Sequence, residues 1–139
     1  MLTINIKMTD YLSVKAKNYF ILGVIAETLD MPSEAATNFF KALFAVDDMA
    51  IKQKTGNKPK DHTERFNMLK TNLPELYTIT DRLFSSYRRT YTQDLEKEET
   101  DLVKNRVMEA FKNAKIPIPT DEEVKNKFKE SIKKGKIFS

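Results

Sequence analysis

Leu12, Ala16, Tyr19, Gly23 and Ala26 stand four, three, four and three residues apart, the spacing of one face of an α-helix. The same period returns along the chain. Ala36, Phe39, Phe40, Leu43, Phe44, Val46, Met49 and Ala50 wrap more than one helical face, and Leu76, Ile79 and Leu83 form a stripe with Tyr77, Phe84, Tyr87 and Tyr91 beside it. Val103, Val107, Ala110 and Ala114, flanked by Leu102 and Phe111, make another, and Val124, Phe128 and Ile132 a thin last one. Apolar and polar residues alternate only over Met1 to Lys7, and a lone strand has nothing to pair with. The expected fold is therefore all-α.

The punctuation agrees. Only three glycines and five prolines occur in 139 residues, and they fall between the stripes except for Gly23. Thr9 or Asp10 caps a first helix to about Leu29, and Asp30-Met31-Pro32 turns into a second over about 33–54, stopped by Gly56. Asp61 or Thr63 caps a third helix over about 62–71, Asn72-Leu73-Pro74 bends the chain, and a fourth spans about 74–93. A fifth covers about 99–115. Ile116-Pro117-Ile118-Pro119 crosses the surface in extended form, and Thr120 to Glu123 is a capping box that opens a final helix to Lys134. The expected architecture is an antiparallel up-and-down bundle of four main helices plus a short one. Residues 1–9 are read as an extended arm, 10–115 as the bundle, and 116–139 as a connector with a C-terminal docking helix. Phe20, Val24 and Leu29 widen the apolar face of the first helix, which suits contact with more than one neighbour or a dimer.

Composition removes several chemistries. There is no cysteine and a single histidine, so neither a disulfide nor a His-pair or thiolate zinc site is expected, and no cofactor is called for. The longest apolar run, Tyr19 to Ala26, is well short of the ~20 residues that cross a bilayer. The N-terminal residues lack a signal-peptide pattern, so the expectation is a cytoplasmic protein with no membrane contact. No Gly-rich phosphate loop, Gly-x-Ser-x-Gly elbow or His-Glu-x-x-His motif is present.

Charge is unevenly placed. Residues 51–92 carry nine basic and four acidic groups, whereas 93–123 carry five and nine, so the cations gather where a phosphate would be attracted, or where a solvated face is needed. That block holds the only histidine. His62, at a helix start with Lys58 and Lys60 before it, reads as a phosphate contact, as a general base, or as an ordinary helix-start hydrogen-bonding group. Arg88 and Arg89 beside Tyr87 and Tyr91 read as guanidinium forks next to ring faces for a base. The alternative is that the tyrosines are core and the arginines pair with Asp47, Asp48 or Asp94. Asp47 and Asp48 interrupt an apolar helix; one of them turning inward needs a partner, and an arginine of the fourth helix is the expected one.

The order of Phe39-Phe40-Lys41-Ala42-Leu43, then Lys60-Asp61-His62, then Leu83 to Tyr91 resembles the HEPN family over about residues 10–114. The resemblance implies a helical bundle, often a homodimer, that binds nucleotides or cleaves RNA and sometimes works beside a nucleotidyltransferase. Cleaving members carry an Arg and, after four to six intervening residues, a His. Here the positions after Arg88 and Arg89 hold Gln93, Asp94, Leu95 and Glu96, so the proton-moving group is missing. The resemblance therefore implies binding of nucleotide or RNA phosphates without catalysis. An interaction subunit with no nucleotide ligand is the alternative, and a divergent ribonuclease using His62 is a third.

Overall fold

The computed structural model describes the backbone of residues 2–135 and the side chains of residues 8–135. Among the described residues six helices make up the architecture: α1 (Leu2–Thr28), α2 (Pro32–Thr55), α3 (His62–Asn72), α4 (Pro74–Arg89), α5 (Lys97–Asn113) and α6 (Asp121–Lys133). No strand occurs among the described residues. The chain is an all-α bundle.

Helix α2 is its centre, packing against α1, α3, α4 and α5. Thirteen of its residues are buried, Asp47 and Asp48 among them, so the helix is apolar nearly all round because nearly all of it faces other helices. A short turn returns α1 onto α2, and Gly23 is what lets the two approach. A Cβ at Gly23 would run into the ring of Phe39. Phe20 meets Phe39 at 5.2 Å and Phe111 of α5 at 5.4 Å between centroids, tying three helices together through aromatic contacts.

Local chemistry sets most of the helix ends. Gly56 takes the left-handed conformation at φ 83° and its N–H bonds Lys52 O at 2.8 Å, closing α2. The Asp61 carboxylate accepts from the Glu64 N–H at 2.9 Å and opens α3. Pro74 starts α4 directly after Leu73. Thr120 and Glu123 cap one another's backbone N–H groups and start α6.

Three expectations need correction. The stretch read as an extended arm is the start of α1, whose helix begins at Leu2, and Met8 packs against the core. Extending a nucleated helix costs little per residue, and a lone strand has no ladder to join. Helix α4 ends at Arg89, not near Gln93, and passes into tight turns with Thr90 N–H on Tyr87 O and Tyr91 N–H on Arg88 O. The stop is tertiary: Leu95 is buried, and its N–H donates to Ser33 Oγ at 2.6 Å. The 116–119 segment does not merely cross the surface, because Ile116 and Pro119 are buried.

Candidate functional site

Around Asp47 and Asp48 three helices converge. Asp47 is fully buried; its Oδ2 accepts from Thr80 Oγ of α4 at 2.6 Å, and its Oδ1 has no hydrogen-bond partner. Burial pushes its acidity well down, raising the pKa far above the usual carboxylate value, against the smaller opposing pull of the Thr80 hydrogen bond and the Arg65 charge. Asp48 is gripped by Arg65 of α3, Nε to Oδ1 at 2.8 Å and Nη2 to Oδ2 at 3.1 Å. This is the two-pronged geometry that suits a guanidinium and a carboxylate.

The charged partner of Asp48 is thus Arg65, not an arginine of α4, and the hydrogen-bond partner of Asp47 is Thr80. The available sequence signal was periodicity, since Arg65 lies three residues after His62 and four before the buried Leu69, on the inward face of α3.

Arg65 does one more thing. Its Nη1 hydrogen-bonds His62 Nδ1, and its guanidinium lies over the Phe44 ring at 4.9 Å from the centroid. A guanidinium only donates, so Nδ1 must accept, and the neutral imidazole then carries its proton on Nε2. Burial, followed by the Arg65 charge, lowers the His62 pKa from its ordinary value, in agreement with that tautomer. The ring is packed against Phe44, Phe84 and Tyr87 at 4.8, 5.5 and 5.5 Å. His62 is therefore a fixed, neutral hydrogen-bond donor in an aromatic setting.

The end of α4 forms the outer wall. Tyr87 stacks edge-on against Phe40 and Phe44, and its hydroxyl meets that of Tyr91 at 2.6 Å. Burial and that hydrogen bond push the Tyr87 phenol up to about 12. Tyr91, on the turn after the helix, is 73 % exposed. The two arginines separate. Arg89 pairs with Glu99 of α5 and donates to Ser86, whose hydroxyl also donates to Glu99 at 2.7 Å. Arg88 is exposed, sits 5.7 Å from the centroid of Phe84, and forms no ion pair among the described residues. Lys58 and Lys60 are exposed on the connector before α3.

His62, Tyr87 and Tyr91 are brought together with Arg88 above Phe84, Arg89 is drawn off towards α5, and Asp47 and Asp48 lie beneath, in the interior. Two 360 Å³ clefts lie elsewhere, one between α1 and α6 and one at the end of the bundle near Lys115, and neither is lined by these residues. Among the described residues no group of three or more His, Cys, Asp or Glu is placed to hold a metal ion, and no helix is long and apolar enough to cross a membrane. No protein-family model, curated protein or solved structure matches the chain.

Proposed function

We propose that this chain is a HEPN-like helical bundle that binds nucleotide or RNA phosphates at the end of α4 without cleaving them. The observation that carries the reading is Arg88, an exposed guanidinium on the Phe84 ring with no carboxylate partner among the described residues, one turn from the exposed ring of Tyr91. A fork for phosphate beside a face for a base gives affinity without sequence readout. Lys58 and Lys60 add charge on the approach, and Nε2–H of His62 is a neutral donor for a phosphate or carbonyl oxygen. Proton transfer is not part of the reading. His62 Nδ1 is taken by Arg65, and Nε2 already holds its proton.

The test is fluorescence anisotropy of an end-labelled single-stranded RNA oligonucleotide at two salt concentrations. Arg88→Ala is expected to weaken binding roughly tenfold or more and to flatten the salt dependence, the scale of one charge-assisted contact. Arg89→Ala is expected to change little, because Glu99 already neutralises that side chain. Equal affinity for wild type and Arg88→Ala sinks the proposal.

The alternative of an interaction subunit draws support from a different surface, the outer face of α1, where Tyr11, Val14, Leu22 and Leu29 are 57, 54, 49 and 62 % exposed.

A further inference from the structure

At the end of the bundle where α4 begins, two clefts adjoin at Lys115. One, of about 360 Å³, is bounded by Asp10, Ser13 and Lys17 of α1 and by Ile116 and Pro117. The other, of about 320 Å³, is bounded by Lys54 of α2 and by Leu73, Leu76 and Asn113. Gln53, Ala114 and Lys115 line both, so Lys115 stands at the shared wall with Lys17 on one side and Lys54 on the other. Leu76 comes twelve residues before Arg88 on α4, about 18 Å along the helix, so these clefts are separate from the proposed phosphate site.

Lys115 is an unusual residue for its position. It takes the left-handed conformation, φ 60°, just after α5, where glycine, as Gly56 and Gly135 at φ 83° and 71°, closes α2 and α6. A side chain in that conformation crowds the backbone, so lysine holds the position at an energetic disadvantage to glycine. The backbone is pinned on both sides: Lys115 N–H bonds Lys112 O at 3.1 Å, and the N–H of the buried Ile116 bonds Phe111 O at 2.9 Å. The ammonium is therefore presented from a fixed point. Offsetting the helix dipole does not explain it, because Lys112 already lies in the last turn of α5.

The other two ammoniums are uncommitted as well. Lys17 is half-buried in the middle of α1, and neither it, Lys54 nor Lys115 forms an ion pair or hydrogen bond among the described residues. Lys52, by contrast, donates to Gly56 O at 2.6 Å, and Lys104 pairs with Glu27 at 2.9 Å. Three uncompensated cations beside adjoining clefts favour an anion there. Asp10 is the one carboxylate among the described residues that line either cleft. The floor is hydrocarbon, since Met49, Ala50, Leu76 and Ile116 are all buried. No aromatic ring and no arginine is among the described lining residues, so the clefts offer neither a face for a base nor a fork for phosphate.

We infer that the adjoining clefts bind an aliphatic polycarboxylate, its carbon skeleton on Met49, Leu76 and Ile116 and its acidic groups on Lys17, Lys115 and Lys54. The Gln53 amide, on the wall that both clefts share, adds a hydrogen-bond donor for a carboxylate oxygen.

The test is isothermal titration calorimetry of the full chain with citrate at physiological salt, together with amide chemical-shift mapping by NMR. Citrate is expected to bind at a single site and to shift the amides of Lys17, Gln53 and Lys115 but not that of Arg88. Lys17→Gln and Lys54→Gln are each expected to weaken binding roughly tenfold, the scale of one charge-assisted contact. Lys115→Gly is expected to weaken it at least as much while raising the melting temperature, because glycine removes the ammonium and relieves the left-handed backbone. That split separates a ligand contact from a structural role. Lys133→Gln, an equal loss of charge on α6, is expected to leave the affinity unchanged. Pyrophosphate, of similar charge but with no carbon skeleton, is expected to bind more weakly. Absence of citrate binding, wild-type affinity in Lys115→Gly or Lys17→Gln, shifts centred on α6, or pyrophosphate binding as tight as citrate overturns the proposal.

Discussion

Arg65 of α3 holds both carboxylate oxygens of Asp48 of α2, seventeen residues earlier in the chain, with only 11 and 9 % of the two side chains exposed. Helix α3 is short and has one fully buried side chain, Leu69, and this pair joins the apolar contacts of Leu69, Met68 and Phe66 in seating it on the bundle. The pair also fixes His62 through the remaining guanidinium nitrogen. Fold and candidate site therefore share one cation.

Replacing Arg65 by Met should leave the Asp48 charge buried and unpaired, at a loss of about 3–5 kcal/mol in urea unfolding. Asp48→Leu combined with Arg65→Met should recover most of that loss, since neither charge then remains inside. A single-variant loss below about 1 kcal/mol would mean that water replaces the guanidinium and the pair is not structural.

What the sequence made legible is what local chemistry decides. The Gly56 stop, the Asp61 cap and the Thr120–Glu123 box each depend on residues within one turn, and α2 announces itself as central by being apolar on several faces. The Arg65–Asp48 grip depends on how α3 lies on α2, and periodicity could say only that Arg65 faces inward. The end of α4 was invisible for a related reason. Tyr91, Thr92 and Gln93 can all continue a helix, and the chain leaves it because Leu95 is held at Ser33, sixty-two residues away. Arg88 and Arg89 looked equivalent until Glu99 claimed one of them.

His62 is the only imidazole, so its titration can be read by NMR without assignment ambiguity. Its folded pKa lies below the ordinary 6.5, with burial the main cause and Arg65 the next. The unfolded chain then takes up a proton first as pH falls, so wild-type stability should drop from about pH 6.5 downward until the folded pKa is passed. His62→Gln should lack that segment of the pH profile. An imidazole that titrates above 6.5 in the folded protein contradicts the Nδ1 contact with Arg65.

Asp47 works in the opposite sense. Its folded pKa is raised by burial above the ordinary 3.8, so the folded state favours the protonated acid. Stability from this group is complete below the ordinary value and is lost as pH rises through the folded one. Asp47→Asn should therefore be as stable as wild type or more stable at neutral pH, and its profile should be flatter on the alkaline side. A loss of more than about 2 kcal/mol at neutral pH would show instead an ionised carboxylate that the fold needs.

Gly23 offers the sharpest test of the α1–α2 contact. The residue sits in a helix, where Ala is intrinsically better by up to ~1 kcal/mol, so propensity alone predicts that Gly23→Ala stabilises. Packing predicts the reverse. The added methyl would meet the Phe39 ring, which lies in the core against Phe20 and has no solvent to swing into. Overpacking of this kind costs about 1–3 kcal/mol, which outweighs the propensity gain, so the net effect in urea unfolding should be destabilising. Combining Gly23→Ala with Phe39→Leu separates the two effects, because the smaller side chain gives the methyl room: the double variant should lose less than the two single losses added together. Additive losses would place the strain elsewhere than between these two residues.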